Sequence, residues 1–336
     1  MDLAVVKKYS IYGVGAALVD TEVEVTDGFL VEAGIDKGVM TLVDEARQAE
    51  LLSMLETKST PLLRQCGGSV CNSVVAASHL GAAAFFSGKV ADDSDGRLYF
   101  EDLKTSGVDF QSSTPELGTT GKCLVMVSAD AERSMNTFLG VSEDLSEREI
   151  DYAALGDSEW LYLEGYLVTN DRRAKMAQAL VERARSKGVK VAISLSDPFV
   201  ADIFGDNLRA VIGVGVELMF CNKQEALAFY GGDDIHIAMD ALRHVARTFV
   251  VTDGANGSVC HDGKQAFDSP GHRVDAIDTN GAGDMFAGAF LYALTKGKNY
   301  QWAAGFANHC ASWIVQQFGP RLSDADFGEI RRAYDL

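Results

Sequence analysis

The chain has 336 residues, 47% of them apolar, and a formal net charge of −18. That length supports one large core with an accessory piece, and the acidic balance argues against a general nucleic-acid binder. No apolar run approaches the roughly 18 residues of a membrane span, and the first eight residues, acid before base and leading into a strand pattern, do not read as a signal peptide.

The six cysteines, Cys66, Cys71, Cys123, Cys221, Cys260 and Cys310, form no CxxC pair. They are expected to be reduced thiols in a cytoplasmic protein. The six histidines are scattered without an HExxH motif, so no structural zinc site is expected.

Residues 10–14 form a short apolar strand ending near glycine, and 23–26 alternate like a half-covered strand. A helix is predicted over 72–80 after Gly67-Gly68, then a buried strand over 82–86. Between 108 and 139 the pattern changes to polar turns and strand candidates at 122–128 and 134–138, with no long helix. That block is expected to form a small sheet off the main body. The second half alternates: strand 160–163, helix 172–186, strand 189–195, strand 216–220, helix 239–247, strand 249–252, then helices over 283–294 and 300–316. This rhythm predicts an α/β fold with a mostly parallel central sheet covered on both faces. Ligands of such sheets sit beyond the carboxyl ends of the strands.

Two glycine motifs mislead. Gly13-Val14-Gly15 follows a strand, but Leu18 stands where the dinucleotide fingerprint needs its third glycine. Gly121-Lys122 lacks the opening glycine and the closing Ser or Thr of a P-loop, which are Glu116 and Cys123 here.

The segment 278–284, D-T-N-G-A-G-D, directly precedes an apolar helix pattern. The amides of Gly281, Ala282 and Gly283 would fall in the first helical turn, where they lack intrahelical acceptors and face an incoming anion. Asp284 would then take the proton of an attacking hydroxyl, although a first-turn carboxylate is also favoured by the helix dipole alone. Asp278 would cap the turn or help arrange a cation. Asn222 and Glu225 form N-x-x-E at a strand-to-helix passage, either organising water around Mg²⁺ or making a helix-start pair. Asp20, just past the first strand, suits a turn or paired hydroxyls of a polyol. Gly67 and Gly68 permit close approach, Asn72 donates and accepts, and Arg133 either balances phosphate charge or is a surface arginine. Thr252, Gly254 and Gly257 surround a strand-end turn suited to a nucleotide, with His309 on a later helix.

Together these motifs resemble the PfkB, or ribokinase-like, carbohydrate kinases over essentially the whole chain. Residues 278–290, DTNGAGDMFAGAF, are similar to that family's second signature. Residues 66–81 with 87–96, CGGSVCNSVVAASHLG and SGKVADDSDG, are similar to its first. The resemblance implies one ATP-dependent kinase domain over 1–336, with a Rossmann-like three-layer body and a β-sheet lid from about 21–30 and about 108–139. It implies Asp284 as base, Gly281 to Gly283 as anion hole, and Asn222 with Glu225 toward Mg²⁺, Glu225 acting through water. It also implies Asp20, Gly67, Gly68 and Asn72 on the sugar, and a possible K⁺ site at Asp278. G-G-S-x-x-N-S and D-T-N-G-A-G-D look most like adenosine kinases, yet those usually carry asparagine where Ala16 stands. A pentose or hexose kinase is therefore the alternative. The family contains both monomers and lid-mediated homodimers.

Overall fold

The computed structural model describes residues 6–56, 63–111 and 117–336. The chain opens with β1 (Tyr9–Val14), leaves the body for β2 (Leu18–Glu24), β3 (Met40–Leu42) and β4 (Leu63–Gly67), and returns with β5 (Ala84–Ser87) and β6 (Val108–Phe110). It departs again for β7 (Gly121–Val127) and β8 (Arg133–Phe138). The rest stays in the body: β9 (Ser158–Leu163), β10 (Lys190–Ser194), β11 (Val216–Asn222), β12 (Ala246–Thr252), β13 (Gly257–His261) and β14 (Ala266–Pro270).

Nine strands make the central sheet in the order β14-β13-β12-β11-β10-β9-β1-β5-β6, parallel except for the β12-β13-β14 meander. Its parallel strands are nearly continuous apolar runs, as burial on both faces requires. Tyr12, Leu161, Ile193 and Met219 face one core layer, while Ile11, Trp160, Tyr162, Ala192 and Phe220 face the other. The helices Ser69–His79, Ala282–Thr295 and Tyr300–Ile314 cover the latter side. All six cysteines are free and buried. Among the described residues no helix is long and apolar enough to cross a membrane.

The second sheet has the order β3-β8-β7-β2-β4 and its own small core, in which Leu124 and Met126 meet Phe29, Leu30, Leu51 and Leu55. The last four belong to the helices Asp27–Glu32 and Glu45–Glu56. This accessory layer is larger than the strand patterns indicate. Its first strand is Leu18–Glu24, and Thr26 then caps a helix, its hydroxyl accepting from the Phe29 amide at 3.2 Å. Residues 108–110 pair instead with β5 at the edge of the central sheet, and 112–116 lie outside the described residues. The helix expected over 239–247 is Ile235–Leu242, because the strand before the apolar Phe249 already begins at Ala246.

Candidate active site

The two sheets meet over an open cleft of about 750 Å³, counting its mouth. Its floor is the carboxyl end of β1 and the starts of the helices Ser69–His79 and Ala282–Thr295; its roof is the inner face of the small sheet. Gly68 makes the return from β4 into the first helix possible. Its φ is 95°, and a Cβ there would run into the carbonyl of Ala16 on the outgoing connection.

Asp284 lies at the third helical position after Gly281, on the cleft wall. Its Oδ1 accepts from the Ser69 hydroxyl at 2.6 Å and its Oδ2 from the Asn72 amide at 2.9 Å. Burial holds its carboxyl above the ordinary aspartate value, and those two donors with Arg133 and Arg321 pull it partly back. The outcome is a carboxylate more basic than one in water, aimed into a cavity. Gly281 is the N-cap at φ 75°, and a Cβ on it would strike the Pro320 backbone. The Ala282 amide reaches only the Thr279 carbonyl at 3.3 Å, and helical bonding starts with Met285 to Gly281 at 2.8 Å. The Gly283 and Asp284 amides therefore have no acceptor within the helix. Nothing stands within 4 Å of a Cβ placed on Gly283, so this turn opens onto free space.

Asp278 is fully buried, and its two oxygens accept from the amides of Asn280 at 2.8 Å and Gly319 at 3.2 Å. It staples the 278–284 turn to the segment after the last covering helix. Asn280 continues the network toward the roof. Its side-chain oxygen accepts from Arg133 at 3.2 Å and its amide contacts Glu22, while Thr279 donates to the Ala131 carbonyl at 3.1 Å. Burial, with Asp278 nearby, pushes Glu22 up to about 7. Arg133 is thus no stray surface arginine: it borders the cleft and its charge reaches Asp284.

Asp20 is 6% exposed and also lines the cleft. Burial, with Glu22 and Asp284 close by, pushes its carboxyl well above the ordinary value. A Cβ on Gly67 would collide with the Asp20 carboxylate, which is why that strand end carries glycine. Asn72, Gly68 and Asp284 also line the cleft. Leu18, Met40, Leu42, Met135 and Leu139 contribute an apolar surface from the roof and its connections.

A second group lies along the same edge of the central sheet, outside this cleft. Asn222 and Thr252 face each other at the ends of β11 and β12. Asn222 caps the helix Lys223–Tyr230 in a reciprocal box with Glu225, whose Oε2 accepts from the Asn222 amide at 3.0 Å and Oε1 from its side chain at 2.7 Å. Burial pushes Glu225 up to about 7, with Arg133 opposing. Gly254 and Gly257 turn the chain from β12 into β13. His309 accepts from the Trp313 indole at 3.0 Å and packs edge-on to His272 at 4.9 Å.

The sequence patterns do not reveal Ser69, Glu164, Tyr166 or Arg321. Glu164 is 2% exposed and accepts from the amides of Ala16 at 2.8 Å and Val70 at 3.3 Å; a Cβ on Gly15 would occupy its place. Gly13 likewise admits Val70 and Val74 against β1. The glycines that mimic a dinucleotide fingerprint therefore serve this contact and helix packing.

The pfkB family carbohydrate kinase model matches residues 55–326. The chain belongs to that family. This pfkB kinase is 31% identical to an adenosine kinase from Sinorhizobium meliloti, covering 97% of this chain and 99% of that one with a TM-score of 0.91. It is 29% identical to a probable sugar kinase from Rhizobium etli, covering 98% and 99%, also with a TM-score of 0.91. Adenosine kinase of Saccharomyces cerevisiae is 26% identical across 91% of this chain and 94% of the yeast enzyme. An ATP-dependent ribose-1-phosphate kinase from Halopiger xanaduensis is 28% identical across 76% and 82%. The central sheet with its small second sheet is the architecture of these sugar and adenosine kinases.

Proposed function

We propose that this pfkB kinase transfers the γ-phosphoryl group of ATP to the primary hydroxyl of a nucleoside, the 5′-hydroxyl of adenosine. The observation that carries the nucleoside over a free sugar is the mixed lining of the cleft. Asp20 and Asn72 offer a carboxylate and an amide to vicinal hydroxyls, while Leu18, Met40, Leu42, Met135 and Leu139 offer an apolar face suited to a planar base. A free pentose would leave that apolar face wet. The adenosine kinases among the relatives support the same substrate.

In this reading Asp20 accepts hydrogen bonds from the sugar hydroxyls, and Asp284 receives the proton of the attacking one. The amides of Gly283 and Asp284, with that of Gly281, face the transferring group at the positive end of the helix, and Arg133 adds a cation. The small sheet acts as a lid that keeps water from the reaction. Nucleotide would lie along Asn222, Thr252, Gly254, Gly257 and His309.

Mg²⁺ keeps water and phosphate oxygens as most of its ligands, and the buried Glu225 carboxylate would order those waters. When bound, Mg²⁺ neutralises phosphate charge. Glu225→Gln should raise the Mg²⁺ concentration for half-maximal activity about tenfold, the worth of one charged hydrogen bond; an unchanged titration would contradict the role. Asp278, with both oxygens occupied by amides, would influence a K⁺ ion through charge and loop shape. We place the enzyme in the cytoplasm, in purine salvage, as a monomer or a dimer joined through its lids.

Ala16 favours the second reading, an ATP-dependent ribose or fructose kinase. It lines the cleft with a methyl group where adenosine kinases usually present an amide. A panel with purified protein and ATP decides between them. Turnover of adenosine with ribose and fructose inert is the expected result; the reverse pattern overturns the nucleoside assignment.

A further inference from the structure

Arg321 follows the last covering helix and sits 249 residues from Asn72 in sequence. Its side chain is only 12% exposed, ion-paired with Asp102 of the helix Ser94–Thr105. Its Nε donates to Asn72 Oδ1 at 2.9 Å, and an Nη lies 3.3 Å from Cys71 Sγ. A guanidinium has donors and no acceptor, so it admits only the amide oxygen of Asn72 on its side. The other end of the amide, Nδ2, is then turned to Asp284 Oδ2 at 2.9 Å. Ser69, the other donor to Asp284, can swing its hydroxyl from donor to acceptor when the carboxylate becomes protonated. Asn72 cannot while Arg321 holds its oxygen.

We propose that Arg321 is a positioning residue for the catalytic base: anchored by Asp102, it fixes the orientation of the Asn72 amide, which in turn keeps Asp284 ionised and aimed into the cleft. The proposal rests on the reading of Asp284 as base. Its partners do not duplicate one another. Asp284 also faces Arg133, Asp20, Glu164, Glu225, Tyr162 and Tyr166, of which only Arg133 is a cation. Loss of Arg321 leaves Arg133 as the one cation among these groups and an amide free to flip, and both raise the basicity of Asp284 beyond its useful range.

The test compares the parent with Arg321→Met/Asp102→Asn, which leaves no orphaned aspartate charge, and with Arg321→Lys, which keeps a cation and a donor. In steady-state assays across pH with ATP and adenosine, the double variant should lose about tenfold in kcat at neutral pH, the worth of one charge-assisted hydrogen bond. The acid limb of its profile should move to higher pH, while KM for ATP stays unchanged. Arg321→Lys should recover part of both effects. If the variants melt at lower temperature but keep the parent's kcat and acid limb, Arg321 only braces the fold and the proposal fails. An Asp284→Asn enzyme as active as its parent would instead overturn the reading of the base itself. Should the double variant not fold, the acid limb of Arg321→Lys decides: unmoved, it refutes the proposal.

Discussion

Asp284→Asn is expected to lose roughly 10²–10⁴-fold in kcat, the usual worth of a positioned general base, while still binding ATP and nucleoside. The substitution keeps size and both hydrogen-bonding neighbours. Ser69 and Asn72 would meet an amide in place of a carboxylate, 2.6 and 2.9 Å away in the parent. What disappears is the capacity to receive a proton. In the parent, burial holds the carboxyl above the ordinary value. Activity should therefore fall as pH drops through that raised value, because the protonated acid is no longer a base. Asp284→Asn should lose this acid limb along with its rate. Equilibrium binding of ATP, followed by calorimetry, separates lost chemistry from lost affinity; a variant with near-parental turnover would contradict the assignment.

Gly281→Ala should be nearly as damaging through backbone geometry. The left-handed φ of 75° costs an L-residue about 1–2 kcal/mol, and the new methyl would strike Pro320, whose backbone cannot swing aside like a side-chain tip. The helix start must shift, taking the Gly283 and Asp284 amides out of register with the transferring phosphoryl group. Misplacing one such donor costs about 10²–10³-fold in rate. Gly283→Ala is the informative contrast. Its Cβ meets nothing within 4 Å, and alanine is the better helix former by about 1 kcal/mol. That variant should melt no lower than the parent yet turn over more slowly, because the methyl occupies space meant for the anion. Melting curves and kcat for both variants check this; a fully active Gly281→Ala enzyme would remove the helix start from the mechanism.

The turn and helix start around Asp284 were legible because they are local. Seven consecutive residues carry the turn, the cap and the carboxylate, and the helix Ala282–Thr295 follows at once. Asn222 and Glu225 are similarly local, a capping box four residues long. The alternation of strands and helices from 158 onward likewise announces the parallel sheet, since each strand is a short apolar run closed by polar turns. Arg321 stayed hidden for the opposite reason: its partners Cys71, Asn72 and Asp102 lie more than 200 residues away, and only the packing of three segments brings them together. Glu164 is a similar case, since it holds amides of a distant connection and a distant helix start. The accessory layer was underestimated because Asp27–Glu32 and Glu45–Glu56 are short, mostly exposed helices whose apolar residues are too few to set a period. Asp278 shows a different limit. Read as a turn cap or a cation residue, it has both oxygens accepting from backbone amides that tie down the turn, which only the folded chain could show.

The proposed transfer to a nucleoside, with Asp284 as base in a cleft lined by both polar and apolar side chains, has one expected product. Purified protein incubated with adenosine and ATP, followed by phosphorus NMR, reads it directly. The account predicts one nucleoside 5′-monophosphate for each ADP formed, with 5′-deoxyadenosine inert. Formation of ADP and inorganic phosphate alone, or phosphate appearing only on an added free sugar, would contradict it.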